Sequence, residues 1–172
     1  MFENLVPQPL HPAVVHLPIA LTVLVPIFAV GSLITLKRGA RALRAWSVTA
    51  ALLAALSLSS WVALETGEDQ EDKVEAVVPH RAFENHEESA ERFFTLSLVV
   101  LGIGALGLAS GKVGTIARYA ASASTLALVV VGYNVGRSGG DLVYEHGAAS
   151  AYVSPATRLA IKPSDHETRE SR

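Results

Sequence analysis

The stretch His11-Pro-Ala-Val-Val-His16-Leu-Pro-Ile-Ala-Leu21 leads two histidines straight into an apolar run that continues to Leu36. An imidazole at the mouth of a membrane helix is costly unless it has a partner, which makes both rings functional candidates. Pro12 suits the first turn of a helix, where no backbone donor is needed. Pro18 and Pro26 then fall inside the apolar run, where membrane helices tolerate a kink because neighbours satisfy the freed carbonyls. Half of the 172 residues are apolar and 17% are charged. Three more apolar stretches follow, each near the ~20 residues that cross about 30 Å of hydrocarbon.

These patterns predict an all-α, four-transmembrane-helix bundle. The expected helices cover about 12–36, 43–64, 83–110 and 115–135, within a transmembrane domain spanning 1–149 and followed by a polar tail at 150–172. The connection Lys37-Arg-Gly-Ala-Arg41-Ala-Leu-Arg44 holds four cations, and Gly111-Lys-Val-Gly-Thr-Ile-Ala-Arg118 is the second basic turn. The positive-inside rule puts both in the cytoplasm, so both termini are expected on the outer, periplasmic side of a bacterial inner membrane. The amino terminus lacks the basic n-region of a cleaved leader, so the first helix is expected to remain as an anchor. Trp46 and Trp61, near the two ends of helix 2, read as interface anchors.

Between Glu65 and Glu91 the composition turns polar, with ten carboxylates and the histidines His80 and His86. His146 follows a double glycine after helix 4, and His166 lies in the tail. All six histidines therefore fall at one end of the expected bundle. His16 is the deeper of the first pair and His86 should face inward on helix 3. His11 and His16, five residues apart, are rotated away from one another and make poor chelating neighbours.

The absence of cysteine excludes disulfides, iron-sulfur clusters and covalent c-type haem. A formal charge of -2 with no basic stripe argues against nucleic acid. Two chemistries remain for converging imidazoles. In the first, His16 and His86 are the axial ligands of haem b, with His11 and His146 as alternates or supporting partners and Arg81, Arg92 or Arg137 meeting propionates. Gly132, Gly136 and Gly140, four apart, would admit a flat ligand or a second copy of the chain. In the second, His11, His16, His86 and His146 hold copper, zinc or non-haem iron, with help from Glu65 or Glu87. A third reading is a structural membrane subunit without a cofactor.

A two-histidine haem has no open coordination position, so the first reading describes an electron-transfer subunit of a redox assembly, served by a periplasmic carrier, more than a stand-alone enzyme. The sequence holds no phosphate loop and no His-Glu-x-x-His zinc motif.

The opening His11 to Leu21 motif, His86-Glu-Glu-Ser-Ala90 and Gly139-Gly-Asp-Leu-Val-Tyr-Glu-His146-Gly147 together resemble the bacterial membrane family catalogued as domain of unknown function 2231. The resemblance implies four transmembrane helices and points to His11, His86 and His146 as family positions. His16 would belong to the subset whose opening motif carries a second histidine.

Overall fold

A computed structural model of the chain describes residues 9–154 and residue 157; His166 and most of the expected tail lie outside the described residues. The fold is all-α. Four helices are long and apolar enough to cross a membrane: α1 (His11–Lys37), α2 (Ala42–Glu68), α3 (His80–Leu106) and α4 (Gly111–Tyr144). A short helix at Glu71–Glu75 lies between α2 and α3, and a 3-10 turn at Ala148–Tyr152 follows α4. The helices form two antiparallel hairpins, α1 with α2 and α3 with α4, and α2 also packs on α3 while α1 packs on α4. All six cations of the α1–α2 and α3–α4 turns therefore gather at one end, and the histidines gather at the other.

Local chemistry explains most boundaries. α1 is interrupted at Val15, because Pro18 has no N–H to offer the carbonyl of Val14 four residues earlier. The chain leaves α1 through Gly39, whose positive φ of 91° suits a residue without a Cβ. α4 runs about three turns past the expected end at Val135. Its glycines at 136, 139 and 140 weaken an isolated helix, but α3 packs along this segment and holds it. At 34 residues, α4 is about 51 Å long at ~1.5 Å per residue, well beyond the hydrocarbon thickness.

The interior contains Leu21, Val25, Leu53, Leu56, Phe93, Val100 and Leu128. Interleaved hydroxyls return their protons to their own helices: Thr22 to the Pro18 carbonyl (2.7 Å), Ser60 to Leu56 (2.7 Å) and Ser97 to Phe94 (2.7 Å). Such bonds let a polar side chain sit in an apolar bundle without an orphaned donor. Ser32 and Thr49 instead bond across the α1–α2 interface at 2.8 Å.

Trp46 corrects the sequence expectation. Its side chain is fully buried, and its indole N–H donates to the Gly104 carbonyl on α3 at 2.8 Å. Gly107 leaves the slot it fills, since a Cβ there would collide with the indole nitrogen, while a Cβ at Gly104 would meet Leu53. Trp61 is half exposed on the outer surface of the bundle.

Arg118, also buried, ends α3 from outside: its Nε donates to the Gly107 carbonyl (2.7 Å) and its Nη2 to the Ala109 carbonyl (2.8 Å). These are carbonyls that the end of a helix leaves without partners. Replacing Arg118 by Met should cost about 2 to 3 kcal/mol of stability through the two lost charge-assisted bonds. Reversible unfolding in mixed micelles would measure it, and a loss below about 0.5 kcal/mol would contradict the capping role.

Candidate functional site: a histidine pair between the hairpins

Of the five described histidines, the fold brings together His11, at the start of α1, and His86, two turns into α3. Their ring centroids lie 6.4 Å apart with the planes at 84°, an edge-to-face arrangement across the bundle. Each ring is fastened to the second helix of its own hairpin. His11 Nδ1 lies 2.8 Å from the Ala63 carbonyl, with Thr66 Oγ1 at 3.4 Å. His86 Nδ1 lies 2.9 Å from Ser138 Oγ.

The protons on these rings follow from their partners. A carbonyl only accepts, so His11 must carry its proton on Nδ1. With the Ser138 hydroxyl proton on the Val135 carbonyl at 3.0 Å, Ser138 accepts from a protonated Nδ1 of His86. In a neutral imidazole the other nitrogen is then a lone pair. Both rings therefore present Nε2 as an acceptor. This is the arrangement by which a partner behind the ring orients a histidine for a metal in front.

Glycine sets the depth of both rings. A Cβ on Gly67 would lie 3.3 Å from His11 Cε1, and one on Gly139 would lie 3.0 Å from His86 Cε1. These glycines lie behind the imidazoles and admit the rings themselves. The expected strip behaves differently at each position. Gly132 is where α4 crosses Phe93 and Thr22, whereas a Cβ at Gly136 or Gly140 would point into open space.

The pairing of His16 with His86, expected from depth in the apolar run, is replaced by that of His11 with His86. His16 is exposed, and its Nδ1 approaches the Ala13 carbonyl of its own helix at 3.3 Å. Five residues turn an ideal helix through about 140° beyond a full turn, so with His11 facing in, His16 faces away. His146 is half-buried in the turn after α4, outside the ring pair. His80 is exposed between Glu75 (2.8 Å) and Glu84 (3.2 Å). Among the described residues no group of three or more His, Cys, Asp or Glu is placed to hold a metal ion. The four-histidine site is thus not assembled by the described residues.

The expected propionate partners all lie on the surface. Arg92 pairs with Glu88 at 2.7 Å, Arg137 approaches Asp141 at 3.9 Å, and Arg81 is exposed. Sequence reasoning missed Ala63, Thr66, Gly67, Ser138 and Gly139 as the residues that orient the pair. Over this end of the bundle, Val78, Leu142 and Ala148 close a small apolar cap. The 3-10 turn is tied down there by Tyr152, whose hydroxyl donates to Gln70 at 2.7 Å.

A bundle of four membrane-length helices with a half-buried histidine pair between its hairpins defines a polytopic membrane protein. Residues 7–151 match the model of the predicted membrane protein family DUF2231, and the chain belongs to that family. No curated protein and no solved structure shows a significant similarity to it.

The glycine geometry makes a specific prediction. Gly132→Leu should destabilise the bundle by about 1 to 3 kcal/mol through overpacking against Phe93 and Thr22. Gly136→Ala and Gly140→Ala should leave stability unchanged or slightly raised, as thermal unfolding of the purified variants would show.

Proposed function

We propose that this protein is a small membrane cytochrome of the b type, in which His11 and His86 are the axial ligands of one haem and the protein relays electrons within a redox assembly. The observation that carries this reading is the ring pair. Two imidazoles bound to opposite sides of one metal, at about 2 Å per metal–nitrogen bond, would have ring centres ~6 Å apart; here the separation is 6.4 Å. His11 Nδ1 donates to a carbonyl, and with His86 Nδ1 donating to Ser138 each Nε2 is able to ligate without a change of tautomer. A site with two protein ligands suits a metal whose other positions are filled by a macrocycle, and haem iron is such a metal.

When bound, haem supplies one-electron chemistry; the chain's own residues supply its position. Ala63 and Ser138 hold the two rings, and Gly67 and Gly139 set how far each can retreat. Arg137 and Arg92 lie on the exposed faces of α4 and α3 at the histidine end, where carboxylate side groups of a macrocycle would reach water. The positive-inside bias of the two basic turns favours the histidine end on the outer side of a bacterial inner membrane, with both termini there. An electron partner would then be a periplasmic carrier or a neighbouring membrane subunit. A second reading, a bare copper ion held by the same two imidazoles, is favoured by the same separation and needs no macrocycle.

The test is an absorption spectrum of detergent-purified protein, oxidised and dithionite-reduced, with a pyridine haemochrome assay and total metal analysis on the same sample. A reducible b-type spectrum is expected, abolished in His11→Ala and in His86→Ala and retained in His16→Ala. Stoichiometric copper in a colourless, iron-free protein would select the second reading. Protein that takes up neither metal nor haem after haem-supplemented expression would overturn both.

A further inference from the structure

The two hairpins carry the same residues at matching places, on a scale the local sequence hides. His11 and His86 are 75 positions apart, and the same interval relates Thr22 to Ser97, Val25 to Val100 and Ala29 to Gly104. On the second helices the interval is 72, relating Leu56 to Leu128, Thr66 to Ser138 and Gly67 to Gly139. These positions are buried in both copies, except that His11, His86, Gly67, Ser138 and Gly139 are half-buried. The three-residue difference is absorbed between α3 and α4. Matching burial alone would prove little, since any inward helical face repeats every three to four residues. The matched chemistry carries the argument.

That chemistry is most alike around the two rings. In the first hairpin the Thr66 hydroxyl reaches the carbonyls of Val62 (2.9 Å) and Ala63 (3.0 Å), the Ala63 carbonyl takes the histidine proton, and Gly67 lies against Cε1. In the second the Ser138 hydroxyl donates to the Val135 carbonyl (3.0 Å), the hydroxyl takes the histidine proton, and Gly139 lies against Cε1. Ala63 and Val135 share the 72-residue interval too. α1 and α3 lie on a diagonal of the bundle, as a two-fold axis along it requires. At the cationic end the likeness lapses: Trp46 and Arg118 occupy matching positions, yet one bonds the opposite hairpin and the other its own.

We propose that Thr66-Gly67 and Ser138-Gly139 are two copies of one histidine-orienting element, which deliver the Nε2 atoms of His11 and His86 to a single metal centre on the pseudo-two-fold axis of the bundle. Its metal rests on the reading proposed above, while its ring geometry does not. The four residues are positioning residues.

The test uses full-length protein in nanodiscs with 15N-labelled histidine, observed by NMR at a pH where the rings are neutral, before any cofactor is added. His11 and His86 are expected as Nδ1–H tautomers. Ser138→Ala should release His86 into a tautomer mixture, with Ser138→Thr restoring it. Thr66→Ala should move His11 less, because the Ala63 carbonyl remains. Gly67→Ala and Gly139→Ala should each lower affinity for added haemin about 10- to 100-fold, the usual effect of disturbing a ligand's support. Their unfolding temperatures without haemin should hold or rise, since Ala favours helix by about 1 kcal/mol over Gly.

A His86 tautomer indifferent to Ser138→Ala would overturn the proposal. So would a haemin response confined to one hairpin. Tautomers that respond as expected in a protein that binds neither haemin nor copper would uphold the orienting elements and overturn the metal reading alone.

Discussion

The placement of the histidine pair depends on two hydrogen bonds, His11 to the Ala63 carbonyl and His86 to the Ser138 hydroxyl. Each ties a ring on the first helix of a hairpin to the second helix of the same hairpin. A ring so held cannot rotate to hide its other nitrogen, and in an apolar bundle a nitrogen without a partner is expensive. The arrangement therefore fixes the orientation of both rings. It also explains the length of α4, whose last three turns bring Ser138 and Gly139 beside His86.

The four helices were legible because length and hydropathy state them directly, and the two basic turns were legible because nothing else in the chain concentrates cations between apolar runs. That histidines would gather at one end followed from the same topology. Which pair would meet was harder. Depth in the apolar run favoured His16, but rotation decides facing, and rotation could be set only once His11 was known to turn inward toward Ala63. Trp46 shows the same limit from another side. A tryptophan near a helix end usually marks the headgroup zone, and only Gly107 and the Gly104 carbonyl, far along the chain, reveal the slot that buries it. The glycine series at 132, 136 and 140 drew attention to the helix that holds Gly139, which lies off that register against His86.

The duplication escaped a linear reading for a physical reason. A membrane core accepts any small or apolar residue that fills its volume, so matched positions need share only size and hydroxyl character, as Thr22 and Ser97 or Ala29 and Gly104 do. Direct identity survives at Val25 and Val100, Leu56 and Leu128, Gly67 and Gly139 and the histidines. Those positions are spread over two intervals that differ by three, which blurs any single alignment of the chain on itself.

The distribution of charge has a consequence for any redox group held by the pair. Ten carboxylates lie between Glu65 and Glu91, joined by Asp141 and Glu145, while Lys37, Arg38, Arg41, Arg44, Lys112 and Arg118 occupy the far end with no acidic neighbour in either turn. The bundle is thus a dipole along its own axis, and its negative pole surrounds the histidines. Through the low-dielectric interior that field favours the more positive oxidation state and biases the centre toward giving electrons up.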